Sequence, residues 1–169
     1  MPNEIFEGYF YNPSRGNLSF EETIKEILNW LQEHPKESYE IVVGCDSPSS
    51  EEPFFPLAIV VLRKGQGGRF FLKKMRYRKK FGNWKNRILQ EVLLSCELAL
   101  KLREVMKEKI KLFPSELKYE FKYIHADVGV NGATKDMIKE VIGIIQGNGF
   151  EAKIKPDSYV ASSVADRYT

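Results

Sequence analysis

Apolar residues recur along this chain with two different periods, and the switches between them predict its elements. In 17–34, NLSFEETIKEILNWLQEH, the residues Phe20, Ile24, Ile27, Leu28 and Leu31 fall at helical spacing. Ser19 followed three residues later by Glu22 is a capping-box start, and His34-Pro35 stops the run. YNPSRGN (11–17), before it, reads as an irregular lead. The β-branched run YEIVVGCDS (39–47) predicts a strand, and FPLAIVVLRKG (55–65) and GRFFLKKMRYR (68–78) predict two more. The Gly-rich connection around GQGG makes that pair an antiparallel hairpin. NRILQEVLLSCELALKLREVMKEKIK (86–111) is a long amphipathic helix stopped before Phe113-Pro114. YEFKYIHADVG (119–129) is a fourth strand, and TKDMIKEVIGIIQGNG (134–149) is a helix with Thr134 as cap and Gly147 or Gly149 at its end. FEAKIKP (150–156) is a fifth strand, and SYVASSVADRYT (158–169) closes the chain as a short helix. Three meandering strands followed by two that alternate with helices predict a mixed sheet covered on both faces.

A length of 169 residues without repeats, low-complexity tracts or linkers predicts one domain over 1–169. The apolar run PLAIVVL (56–62) is far too short to span a bilayer, so no membrane partner is expected. The start, MPNEIFEGYF, lacks the pattern of a secretory signal. Cys45 and Cys96 have no framework or metal-ligand spacing, which suits reduced, partly buried thiols in a cytoplasmic protein.

Net charge is +3, but it is unevenly spread. From Pro53 to Gln90 there is no Asp or Glu, while 11 Lys and Arg residues occur; the rest of the chain carries a balance of −8. Among them Arg69, Lys73, Lys74, Arg76, Arg78, Lys79 and Lys80 interleave with Phe70, Phe71, Tyr77 and Phe81. A solvated basic face is the plain explanation. The interleaving favours backbone contact plus base stacking, and therefore a nucleic acid, RNA or DNA.

Candidate chemistry lies in carboxylates. Asp46 and Asp127 each end a predicted strand, where open α/β sheets place their ligands. On the long helix, Glu91 lines up with Ile88, Ser95, Leu98, Ala99 and Leu102, an apolar face on which a carboxylate is costly unless it is paired or bound to a metal. Glu97 lines up with Lys101, Glu104 and Glu108 and is expected on the solvated face. Asp166, in the closing helix, is a further candidate. Asp157, in KPDS, reads first as a helix cap and second as a ligand. Carboxylates converging without His or Cys suit Mg²⁺ or Mn²⁺ rather than zinc. Two such ions about 3.5–4 Å apart clamp the attacking and leaving oxygens in phosphodiester cleavage. His125 shares a strand face with Asp127 by the period of two, which permits a proton-transfer role or simple satisfaction by a neighbour. Lys155 is either a phosphate contact or an exposed-face lysine, and Ser47 either takes part or caps a turn. GVNGATK (129–135) lacks the Gly-Lys-Ser/Thr ending of a phosphate-binding loop and reads as a strand-to-helix turn.

This pattern resembles the ribonuclease H-like superfamily, and more closely its bacterial YkuK family of predicted nucleases. The resemblance is carried by NPSRGNLSFEE (12–22), VGCDS (43–47), HADVGVNGATK (125–135) and GFEAKIKPDSYVASSVADRYT (149–169), and it is weakest in the basic middle. It implies a ribonuclease H-like five-stranded mixed sheet, three antiparallel meander strands plus two parallel ones, flanked by helices on both faces with an extra N-terminal helix. It also implies that Asp46 occupies the first-strand aspartate position, Glu91 that of the following helix, Asp127 that of the fourth strand, and Asp166 that of the last carboxylate. Cys45 departs from the polar residue or threonine expected before the first aspartate. Junction-cutting members are often dimers, so the resemblance allows a homodimer. Two functions follow: a metal-dependent nuclease, or a nucleic-acid-binding domain of the same fold that no longer catalyses. Nucleotide binding of the actin-like ATPase kind would need a second domain for which this chain has no room.

Overall fold

The computed structural model describes residues 4–45, 54–76, 83–114 and 116–158. Its elements are β1 (Phe10–Asn12), β2 (Gly16–Leu18), α1 (Phe20–Glu33), β3 (Tyr39–Cys45), β4 (Phe54–Arg63), β5 (Gly68–Arg76), α2 (Trp84–Ile110), β6 (Tyr119–Gly129), α3 (Ile138–Gly147) and β7 (Glu151–Lys155). They form one seven-stranded sheet in the order β2-β1-β5-β4-β3-β6-β7. β3, β4 and β5 are the expected antiparallel meander, and β6 and β7 add in parallel.

The sheet has seven strands rather than five because the lead at 11–17 is a hairpin. Its three-residue strands escape a reading by periodicity, since three residues cannot display an alternation. The turn is nevertheless written in the sequence. Asn12 accepts at Oδ1 from the backbone N–H groups of Ser14 and Arg15, both at 3.0 Å, and Gly16 takes the positive φ of 76° that closes the loop. Asn12 Nδ2 also donates to the Phe70 carbonyl at 3.0 Å, which ties the hairpin to β5.

α1 is held at its start by the expected reciprocal cap, Ser19 Oγ accepting from the Glu22 N–H and Glu22 Oε1 from the Ser19 N–H. It buries Phe20, Ile24, Ile27, Leu28, Trp30 and Leu31. Its far end is fastened by Arg63, whose guanidinium lies 4.6 Å from the centre of the Trp30 ring system while Nε donates to Tyr39 Oη at 3.0 Å. α2 starts at Trp84, two residues before the expected Asn86, because the Asn83 side chain accepts from the Asn86 N–H. α3 starts at Ile138 after a short 3-10 turn, not at a Thr134 cap. Thr134 Oγ1 instead reaches back across the loop and accepts from the Gly129 N–H at 3.0 Å.

All three helices share one core with Ile41, Val43, Leu57, Ile59, Ile124, Ala126 and Val128, so they lie on one face of the sheet. Val42, Ala58, Val60 and Leu72 form a smaller cluster on the opposite face. Helices on both faces were expected. Among the described residues they cover one face only, and the closing helix expected at 158–169 lies outside the described residues apart from Ser158. No helix among the described residues is long and apolar enough to cross a membrane.

Asn12 joins the hairpin turn to β5 with three hydrogen bonds and is 5% exposed. Asn12→Ala is expected to destabilise the fold by about 2 kcal/mol, measured by chemical denaturation. Asn12→Asp, which keeps the acceptor but sets a carboxylate oxygen against the Phe70 carbonyl, should destabilise as well. An unchanged midpoint in Asn12→Ala would show that the hairpin does not contribute.

Candidate metal and nucleic-acid site

β3 and β6 run parallel, and two antiparallel steps give β5 the same direction. All three therefore point their carboxyl ends the same way, and α2, which follows β5, begins at that end. This is the edge at which open α/β sheets collect ligands.

Asp127 is on β6, between Ala126 and Val128, which face the helices. By alternation its side chain is on the other face, with His125. The pairing of β6 with β7 loses regular register between His125 and Gly129. Such a bulge re-aims a side chain and is common beside sites. Within it Lys155 Nζ lies 2.8 Å from Asp127 Oδ1. Gly129 makes this approach feasible, since a Cβ there would stand 3.0 Å from Lys155 Cβ. Lys155 is exposed, as one of its two expected roles required, and neither role included this ion pair. No periodicity signals it, because it depends on a register shift between two strands.

Glu91 comes from the helix layer. It closes the second turn of α2 and is 5% exposed, among the buried Val92, Ser95, Leu98 and Ala99. Ser95 Oγ donates to the Glu91 carbonyl at 2.9 Å. Glu97, expected in solvent, is half-buried, and burial pushes its carboxyl above the ordinary value. The heptad argument failed there because spacing along α2 does not record which parts of the chain lie against its outer side. Asp157 is exposed in the turn after β7, its N–H bonded to the Ile154 carbonyl at 2.8 Å. Asp46, Ser47 and Asp166 lie outside the described residues, as do Arg78, Lys79 and Lys80. Among the described residues no three His, Cys, Asp or Glu side chains gather into a metal-holding group.

The basic strand β5 does not act as one face. Lys73 is 7% exposed and is aimed at the N-terminal segment, where Nζ donates to the Glu7 carbonyl and lies 5.4 Å from the centre of the Phe10 ring. Burial holds its ammonium below the ordinary lysine value, against the pull of the Glu7 carboxylate. Arg69 places its guanidinium 4.8 Å from the centre of the Trp30 ring system, the same ring that Arg63 approaches. Both alternate with Phe70 and Leu72, which pack on the opposite face. Lys74 and Arg76, two and four residues past Leu72, share that face and are exposed. The expected phosphate contacts at Arg69 and Lys73 thus serve the helix side of the fold, and Lys74 and Arg76 stand on the face of Asp127.

His125 is 1% exposed, and burial, then the nearby Lys153 ammonium, lowers its pKa to about 4. Cys45 and Cys96 are buried and not disulfide-bonded, and burial raises Cys96 to about 11, out of reach of nucleophilic chemistry near neutrality.

A mixed α/β sheet with an antiparallel meander extended by two parallel strands is consistent with a ribonuclease H-like fold. The family model described as Ribonuclease H-like matches residues 22–169, and the chain belongs to that family. It is also 33% identical over 168 residues to YkuK of Bacillus subtilis, described as an uncharacterized protein, with 95% of this chain and 96% of the relative covered.

The His125 shift has a definite sign. Its native pKa lies below the unfolded value of 6.5, so the unfolded chain takes up the proton first as pH falls. In protein kept free of divalent ions, stability should fall between pH 6.5 and 4 by at most roughly 1.4 kcal/mol per unit from this group, and level off below. His125→Gln should flatten that slope. The imidazole NMR titration, assigned against His34→Gln, should give a midpoint near 4 for His125. A midpoint near 6.5 would contradict the burial argument.

Proposed function

We propose that this protein is a nuclease that hydrolyses phosphodiester bonds with Mg²⁺ or Mn²⁺ held by Asp46, Glu91, Asp127 and Asp166. The observation that carries the reading is a carboxylate, Glu91, kept 5% exposed on the inner face of α2 in a chain of the ribonuclease H-like family. Even with protein partners a buried carboxylate is costlier than an apolar residue of similar size. A ligand role in this family is consistent with its being kept there.

The donor set suits the ions. Glu91 and Asp127 offer hard carboxylate oxygens, and Lys155 places a cation against Asp127, so this carboxylate already works as a cation's partner. Bound ions of this kind supply an activated water and stabilise the charge that builds up on the phosphate oxygens. The chain's own residues position the rest. α2 and β6 hold Glu91 and Asp127 on rigid elements rather than loops. Lys74 and Arg76 meet the phosphate backbone, and Lys155 is within reach of a phosphate bound beside Asp127. His125 is too enclosed to touch substrate and is neutral near pH 7, so it supports β6 from within.

A second reading has its own support. The 2.8 Å ion pair from Lys155 neutralises Asp127 without a metal, as would suit a binding domain that no longer cleaves. A panel of labelled RNA, DNA, hybrid and branched substrates with Mg²⁺ and Mn²⁺ separates the two, read beside a calorimetric Mn²⁺ titration. Cleavage is expected, and Asp46→Asn or Asp127→Asn should lower it by roughly a hundredfold or more while leaving the melting temperature intact. Binding without cleavage, and no Mn²⁺ site, would favour the second reading.

Affinity should fall with salt in either case. Lys74→Glu with Arg76→Glu should reduce the slope of log K against log salt by roughly 0.7–0.9 per lost contact. Lys73→Glu should instead lower the melting temperature, because Lys73 is packed against Glu7 and Phe10. An unchanged slope in the double variant would remove this face from the interface.

A further inference from the structure

The hairpin that periodicity overlooked changes the edge of the sheet. β1 pairs with β5 through Tyr11 and Leu72. Leu72 packs on the face away from the helices, and paired residues face the same way, so Tyr11 is on that face too. Its neighbour Phe10 turns into the core at 1% exposure. Tyr9 and Tyr11, by contrast, are 62% and 40% exposed. Lys74 and Arg76 continue from Leu72 along the same face, inside the stretch that has no Asp or Glu from 53 to 90.

Two open aromatic rings beside two cations meet the two needs of an unpaired strand. Its bases want flat apolar partners, and its phosphates want positive charge. A duplex offers the phosphates alone, since its bases are already stacked on one another. We infer that Tyr9, Tyr11, Lys74 and Arg76 form a platform that binds a single-stranded stretch of nucleic acid, its bases stacked on the tyrosines. The inference rests on the nucleic-acid reading of this face and narrows the substrate.

The row of registered partners links the platform to the site. Tyr11 pairs with Leu72, Leu72 with Ala58, Ala58 with Gly44, and Gly44 with His125, two residues before Asp127. β1 to β6 is four strand spacings, about 19 Å. The substrate is therefore one with an unpaired arm long enough to cross these four strand spacings beside the bond presented to Asp127.

The test is fluorescence anisotropy on the full chain, with EDTA present so that binding is read without cleavage. The probes are labelled oligo(dT), its duplex with oligo(dA), and an abasic strand of the same length. Oligo(dT) should bind tighter than either of the others. Tyr9→Ala with Tyr11→Val should bind oligo(dT) roughly five- to a hundredfold more weakly, while the abasic strand is unaffected. Tyr9→Phe with Tyr11→Phe should keep the affinity. Should Tyr11→Val lower the melting temperature, Tyr9→Ala alone carries the test, since Tyr9 precedes the strand. Equal binding of oligo(dT) by the wild type and the alanine-valine pair, or a preference for duplex, would overturn the platform and leave the nuclease reading standing. Failure of the wild type to bind any of the three probes would overturn both.

Discussion

Neighbours on a pleated strand must face opposite sides, and in β5 this constraint divides the chain's cations between two tasks. Arg69 and Lys73 turn toward the helix layer with Phe71 and Met75. Lys74 and Arg76 turn the other way with Phe70 and Leu72. A one-residue slip would bury the second pair and expose the first. The slip is resisted because both faces of β5 carry large apolar side chains that must find their own cluster. Register in this strand therefore sets the charge of the face that carries Asp127.

The helix side uses its cations as mortar. Arg63 and Arg69 both approach Trp30, at 4.6 and 4.8 Å, and Arg63 adds a hydrogen bond to Tyr39 and an ion pair with Glu33. Arg103 lies 4.2 Å from the centre of the Phe150 ring and donates to the Gly149 carbonyl, which joins α2 to the turn after α3. A guanidinium stacks on an aromatic face while its edge stays hydrated or bonded, so it can close a layer without the cost of a fully buried charge. Basic residues in this chain are thus partly structural, and net charge alone overstates the surface offered to a polyanion.

At the carboxyl end of the sheet the contributions come from different layers. Glu91 descends from α2, Asp127 sits on the far side of β6, and Lys155 reaches it only because β7 falls out of register near Gly129. Rigid elements meeting at one edge hold charged groups more firmly than a loop would, and the bulge supplies the one adjustable angle.

Much of the fold was legible in the residues themselves. Ser19 and Glu22 announce α1, the GQGG turn announces the β4–β5 hairpin, and the alternation of 119–129 places Ala126 inward and Asp127 outward. These depend on neighbours within a few positions, so the sequence by itself determines them. Glu91 was legible as well, because its helical neighbours are apolar. The hairpin of β1 and β2 was not, since its strands are too short for a period, and Glu97 was misplaced because spacing within α2 does not record what lies against it. The Lys155–Asp127 pair, the anchoring of Lys73 on Glu7, and the alignment of Tyr11 with His125 across the sheet join residues far apart in the chain. Only the tertiary structure decides such contacts, because they depend on which strands become neighbours and in what register, and no local spacing records that choice.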